Sequence, residues 1–260
     1  MNHQLIINSQ TTHIALVGAG GTGSQMLTGL ARMAFALQEL GSRPLSVTVF
    51  DPDSVSPANI GRQLFSPSDI GENKARVLVQ RINAYFGFEW EARAQRFDKP
   101  VSTSSITISC VDTRKARAEI QGILGTYLGY WMDLGNTNHS GQVILGNNDY
   151  GRSTWQRRKK YTLLPTVADL FPEIVDDSIP DTDDLPSCSL AHALQKQDLM
   201  VNQTVATHAL ELLWQLLRHG EIHTHGVFFD THRFTTRALP VDPDGWKRLL
   251  KQAKKYQQAA

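Results

Sequence analysis

Apolar residues in this chain fall into short unbroken runs that alternate with longer stretches of helical spacing. The run Ile14 to Val17 ends at a glycine and predicts a first strand over 13–18. Met26, Leu27, Leu30, Ala34 and Leu37 recur near every third or fourth position, which predicts a helix over 23–40. Leu45 to Asp51 ("LSVTVFD") is β-branched and predicts the second strand. A turn-rich stretch follows, with three prolines and two glycines between Asp51 and Ala75. The next helix is expected at about 72–86, opened by a reciprocal capping box between Asp69 and Glu72. "EWEARAQRF" and the buried run "SITISCVD" (Ser105 to Asp112) predict two more strands, and 114–125 another helix. "YWMDLG" and "GQVILGN" then predict a strand pair about a Gly/Asn/Ser turn.

This alternation implies an α/β fold: a Rossmann-like, mostly parallel sheet flanked by helices. The character changes after Asn148. Residues 152–160 carry five basic side chains, and 169–186 carry seven acidic residues, three prolines and no basic residue. The segment 148–188 reads as a crossover loop, either a solvated connection or a docking surface. A long helix is expected over 189–219, stopped by Gly220. "GVFFD" and "RFTTRAL" predict a hairpin, and "WKRLLKQAKKYQQ" a basic terminal helix. The chain therefore divides into a main domain over 1–220 and a C-terminal hairpin/helix extension over 221–260.

Composition narrows the function classes. Lys plus Arg number 26 against 25 Asp plus Glu, a formal charge of +1, which points away from a nucleic-acid partner. No apolar run reaches the ~18 residues of a membrane span, and "MNHQLIINSQTT" does not read as a secretory leader. Two cysteines, Cys110 and Cys188, suit a reducing cytoplasm, and without a C-x-x-C no structural zinc is expected. Cys110 lies inside an apolar run and reads as core.

The candidate chemistry starts at "GAGGTGS". Gly18, Gly20 and Gly23 stand in G-x-G-x-x-G spacing after the first strand, with Gly21 between them. Such a loop lets a phosphate approach the backbone at a helix N-terminus, and it suits NAD or FAD as well as ATP. Asp51 closes the second strand, where an acidic residue binds ribose hydroxyls in either case. Beyond it stand Asp53, Asn59, Arg62 and Gln63, with Lys74 at the next helix start. A triphosphate that must shed pyrophosphate has use for such cations, with Arg62 a planar fork and Lys74 a point charge. A dinucleotide does not. Asp112, at the end of the buried strand, is placed to hold Mg²⁺ against phosphates.

The ordered set "GAGGTGS", "DPDSVSPANIGRQ", "NKA" and "CVDTRKAR" resembles the adenylating domain of the ThiF/MoeB/HesA family, the fold shared with ubiquitin-activating enzymes. Within it the chain is most similar to the ThiF-like proteins of bacterial plasmid PRTRC clusters. The resemblance covers 13–147 well, including "DLGNTNHSGQVILGN", and continues more loosely to about 218.

The resemblance implies ATP-dependent adenylation of the C-terminal glycine carboxylate of a small ubiquitin-like or sulfur-carrier protein by a cytoplasmic homodimer. It assigns Gly18, Gly20, Gly21 and Gly23 to the nucleotide loop and Asp51 to the ribose. Asn59, Arg62, Gln63 and Lys74 go to the phosphates, and Asp112 to Mg²⁺. Cys188, in "LPSCSLAHA", is similar in place to the loop cysteine that takes the acyl group in several members; its alternative is packing.

The chain lacks the paired zinc cysteines of many members. It also lacks the N-terminal arginine that many lend to a partner subunit, since its first arginine is Arg32. Arg114 and Arg117 are either substitutes or residues of an exposed helical face. His219, His223 and His225 are either a metal cluster or surface histidines. An NAD-dependent oxidoreductase and an adenylation-deficient scaffold remain the alternative functions.

Overall fold

The computed structural model describes residues 1–7, 9–102, 105–151, 160–181 and 198–259. In chain order these build β1 (His3–Gln4), β2 (Thr12–Val17), α1 (Gly21–Glu39), β3 (Leu45–Phe50), α2 (Lys74–Phe86), β4 (Glu91–Arg93) and β5 (Ile106–Ser109). There follow α3 (Arg114–Leu124), β6 (Tyr130–Asn136), β7 (Ser140–Asn147), α4 (Val167–Leu170), α5 (Val201–His219), β8 (Glu221–Ile222), β9 (Thr224–Asp230), β10 (Thr235–Pro240) and α6 (Pro243–Ala259).

The main sheet has eight strands in the order β10-β9-β7-β6-β5-β2-β3-β4. Strands β4, β3, β2, β5 and β6 run parallel, and β7, β9 and β10 add antiparallel neighbours. The fold is thus α/β, Rossmann-like and mostly parallel. The C-terminal hairpin continues this sheet, because β9 pairs with β7 from Ser140↔Asp230 to Ile144↔Gly226. A separate two-stranded piece joins the N-terminus to the chain beyond α5, with His3 opposite Ile222.

Burial explains why the apolar runs were unbroken. All four residues of β5 and six of seven in β6 are buried, as both faces of a central parallel sheet require. One face packs on α1, α2 and α5 through residues such as Leu16, Leu30, Leu78 and Leu213. The other carries Ala15, Phe50, Ile120 and Trp131. Helices α1 and α5 approach closely where α1 has glycine. A Cβ on Gly29 would lie 2.0 Å from Leu210 Cδ1, and one on Gly21 would lie 2.7 Å from Asn202 Nδ2. Residues eight apart on α1 thus meet residues eight apart on α5, so the two helices run in the same direction.

Three local expectations need correction. Asp69 forms its reciprocal cap with Ser66 in a short 3₁₀ turn, accepting from the Ser66 amide at 2.7 Å, and Glu72 has no part in it. Helix α2 instead starts at Lys74, capped by Asn73 Oδ1, which accepts from the Arg76 amide at 3.1 Å. The strand expected in "EWEARAQRF" is only Glu91–Arg93, an edge strand paired on one side. Helix α5 begins at Val201 after a turn at 199–200, so it is no continuous helix from 189; residues 189–197 lie outside the described residues.

Among the described residues no helix is long and apolar enough to cross a membrane.

Candidate nucleotide site

Parallel strands β2, β3 and β5 end level with one another: Val17 stands opposite Phe50 and opposite Ser109. The residues that follow them, Gly18, Asp51 and Cys110 to Asp112, are therefore neighbours at the carboxyl end of the sheet, where ligands meet open α/β folds. The Gly18 amide donates to Phe50 O at 2.9 Å, and the Cys110 amide to Val17 O at 2.8 Å.

The glycines serve different ends. Gly18 has φ +93°, and a Cβ there would sit 2.6 Å from Cys110 O. A Cβ on Gly23 would sit 1.9 Å from Gly18 O, so only hydrogen fits inside the loop. Gly21 faces Asn202 as described. Gly20 alone has an open face, its nearest neighbour being Gln63 Nε2 at 3.8 Å from the notional Cβ. It is also the N-cap of α1, with no side-chain cap bond and no acidic residue in the first turn. The first amides of that helix have no intrahelical acceptor, and the helix dipole favours an anion there.

Asp51 is buried and ties the loop to the next turn. Its Oδ2 accepts from the Ala19 amide at 2.6 Å and its Oδ1 from the Asp53 amide at 2.8 Å. Burial raises its pKa, against the pull of these two amides and of Lys74. Each oxygen keeps a further lone pair for a hydroxyl donor.

Lys74 reaches back to Asp53, Nζ to Oδ2 at 3.1 Å, with side-chain exposures of 11% and 65%. Asn73 fixes this turn, donating from Nδ2 to Asp51 O at 2.9 Å and Asp53 O at 3.0 Å. Sequence reasoning gave Asn73 no role, although an asparagine just before a helix is a ready cap signal.

Asn59 Oδ1 accepts from the Ser56 amide at 2.8 Å and closes a 3₁₀ turn, so in this structure that oxygen is engaged by the backbone. The Gln63 amide donates to Asn59 O at 2.9 Å. Gln63 is 5% exposed, and among the described residues its Oε1 has no hydrogen-bond partner. Arg62, between them, is partly buried. Asp112 is exposed just before α3. Among the described residues no cluster of three or more metal-ligating side chains exists, so a cation at Asp112 would need ligands from a bound phosphate and water. The glycine loop, Asp51, Asp53 and Lys74 are thus joined by direct bonds, whereas Asp112 stands on the neighbouring strand end. Cys188 lies outside the described residues.

Behind this mouth is a closed polar network. Asp133, on β6, is fully buried and accepts from Ser109 Oγ at 2.7 Å and Arg117 Nε at 3.0 Å. Trp131 Nε1 donates to Ser109 Oγ at 2.7 Å. Arg117 is therefore a buried ion-pair residue and does not belong to an exposed helical face, because β6 buries a carboxylate whose charge the guanidinium offsets. Burial pushes the Cys110 thiol up, and Asp133 and Asp112 add to this, which leaves it protonated and core-like.

The acidic stretch also has internal partners. Asp181 accepts from the Arg114 amide at 3.0 Å and pairs with its guanidinium at 2.7 Å, capping α3 two residues past Asp112. Asp176 accepts from Tyr256 of α6. His225 is likewise no surface residue: it is buried, its Nδ1 donates to Leu145 O at 2.9 Å, and it stacks edge-on against Trp246. His219 and His223 are exposed.

The ThiF family profile matches residues 4–248. The NEDD8-activating enzyme E1 catalytic subunit of Dictyostelium discoideum is 26% identical over 252 residues, 93% of this chain and 50% of that protein. The protein of the same name from Caenorhabditis elegans is 27% identical over 199 residues, 70% of this chain and 41% of that protein. The chain thus spans about half the length of these curated relatives. The crystal structure of selenomethionine PaaA superposes with a TM-score of 0.59 at 16% identity, covering 89% of this chain and 64% of that one, a likeness of fold. With a strand-end glycine loop, a buried carboxylate at the end of β3 and a profile match along nearly its whole length, the chain belongs to the ThiF family.

Proposed function

We propose that this protein binds ATP at the glycine loop and adenylates the C-terminal glycine carboxylate of a small ubiquitin-like or sulfur-carrier protein. The observation that carries the reading is the open face at Gly20 beside the buried Gln63 Oε1, unpartnered among the described residues, with Lys74 held by Asp53 on the next turn. The names of the NEDD8-activating relatives support the same class of reaction.

In this reading the first amides of α1 receive phosphate oxygens, and Asp51 accepts from a ribose hydroxyl with its remaining lone pairs. Arg62 and Lys74 neutralise charge as it builds on the departing pyrophosphate. A carboxylate oxygen of the carrier attacks the α-phosphorus while the bond from that phosphorus to the bridging oxygen breaks. Acyl-adenylate and pyrophosphate result. Asp112 would hold Mg²⁺, which when bound screens the phosphate charge. The rate gain comes from positioning and charge stabilisation, with no proton transfer required of the protein. Attack of the Cys188 thiolate on the acyl-adenylate carbonyl, which breaks the acyl–phosphate bond and releases AMP, and action as a cytoplasmic homodimer belong to the same proposal.

ATP–pyrophosphate exchange tests it, using candidate carriers that end in glycine. The wild type should exchange label with its true carrier, and Asp112→Ala should lose roughly 100-fold or more. Exchange undiminished in Asp112→Ala would remove that residue from the chemistry. NAD binding in place of ATP would turn the assignment to an oxidoreductase.

A further inference from the structure

The first turn of α1 is held from a direction that no nucleotide motif predicts. Asn202, in the first turn of α5, is 4% exposed and packs directly on Gly21. Its Oδ1 accepts from Thr22 Oγ1 at 2.9 Å. Asn136, at the end of β6, completes the contact: Thr22 Oγ1 lies 3.3 Å from its Oδ1, and its Nδ2 lies 3.5 Å from Asn202 Oδ1. Three elements thus converge behind the amides that would face a phosphate.

We infer that Asn202 is a positioning residue for the nucleotide: it fixes the tilt and depth of the α1 N-terminus against the phosphates through Gly21 and Thr22. The physical ground is that Gly20 gives α1 no side-chain cap. An uncapped first turn that starts in a run of glycines has little to hold its amides in one direction. Thr22 is buried and, between the glycines at 21 and 23, offers its hydroxyl to α5 and β6, while Ser24 of the same turn bonds Gly21 O and the Leu64 amide. Asn202 meets both the hydroxyl of Thr22 and the bare face of Gly21. It does so from the start of a helix that runs alongside α1, where Leu210 meets Gly29 two turns further on. The cradle is therefore set by the α1–α5 packing. Asn202 touches no reacting atom and acts through the loop.

The inference rests on the nucleotide reading above, and the test separates the two. Dissociation constants for Mg·ATP and for adenosine are measured by calorimetry on the full chain, with melting temperatures recorded alongside. Asn202→Ala and the near-isosteric Thr22→Val should each weaken ATP about five- to tenfold, the worth of one hydrogen bond, and leave adenosine within about twofold. Thr22→Ser, which keeps the donor, should restore ATP binding. Gly21→Ala should weaken ATP about tenfold in the wild type and less than threefold in Asn202→Ala, because the clash is gone.

Equal loss of ATP and adenosine affinity would make the contact merely structural and overturn the inference. So would unchanged ATP affinity in both Asn202→Ala and Thr22→Val. If Asn202→Ala does not fold, Thr22→Val and Thr22→Ser decide the matter. A wild type that fails to bind ATP overturns the nucleotide reading, and this inference falls with it.

Discussion

Two carboxylate–cation pairs lie near the same end of the sheet in opposite surroundings. Asp53–Lys74 sits at the mouth, with one partner 65% exposed; Asp133–Arg117 sits on β6 and α3 with exposures of 0% and 10%. The first pair can exchange its partner for a ligand at little cost, because Asp53 turns to water when it releases the lysine. The second cannot, because neither ion has anywhere to turn. Polar residues of similar type are therefore open to a ligand in one place and internal scaffold in the other, and the difference lies in access.

The largest effect should come from breaking the closed pair. Asp133→Ala leaves the Arg117 guanidinium buried without its carboxylate, and takes the acceptor from the Ser109 hydroxyl proton. Urea unfolding should show a loss of roughly 3–5 kcal/mol. Stability within 1 kcal/mol of wild type would mean that water reaches this pair and that the contrast is false.

Acid should find the closed region next. His225 is buried between Leu145 O, which it donates to, and the edge-on ring of Trp246, with His3 nearby; burial lowers its pKa from 6.5 to about 4. Since the unfolded chain binds this proton more readily, stability is complete above the unfolded value and falls as pH drops from 6.5 towards 4. The swing from this group is roughly 3 kcal/mol. His225→Gln should therefore lose less stability than the wild type between pH 7 and pH 4. Parallel acid limbs would place the proton elsewhere.

The open pair should behave in reverse. Lys74→Ala should change unfolding free energy by under about 1 kcal/mol, as a half-exposed ion pair warrants. It should also cost about 100-fold in ATP–pyrophosphate exchange. If stability drops and exchange survives, the pair is scaffold like its counterpart.

The same contrast decides what could be read before folding. The glycine loop, Asp51 and the strand order were legible because each is local: an apolar run, a bend, a terminal carboxylate. Asn202 was not, since it meets Thr22 from 180 residues away and nothing around it departs from an ordinary amphipathic helix. Arg117 was half legible. A lone aspartate inside the apolar run "YWMDLG" must be satisfied if that run is buried, and the preceding helix offers arginines. Taking Arg117 for an exposed face missed that demand. His225 failed differently: its sequence neighbours at 219 and 223 are exposed and lie outside β9, whereas 225 lies within that strand and is covered by Leu145 and Trp246. The Asp69 cap was misplaced because Ser66 and Glu72 lie equally close in sequence, and only the 3₁₀ turn after Pro67 selects Ser66.

The smallest effect should come from a third pair that belongs to neither region. Arg81 Nη2 lies 2.6 Å from both oxygens of Asp69, where α2 crosses the turn that follows the D-x-D segment. Burial works against the Asp69 carboxylate, but the Ser66 amide, Arg81 and the Ser66 hydroxyl outweigh it and lower its pKa. Its contribution is thus present above the ordinary carboxylate range and fades as pH falls through it. Because Ser66 still donates to Asp69 when the arginine is gone, Arg81→Ala should cost only about 0.5 kcal/mol at low salt and less at high salt. Asp69→Ala removes the cap together with the pair and should cost about 1.5 kcal/mol at low salt, of which about 1 kcal/mol, the cap, persists at high salt. Thermal melts at two ionic strengths distinguish them. An Arg81 effect equal to that of Asp69, and insensitive to salt, would show that this turn is pinned from α2 and is less open than the mouth it adjoins.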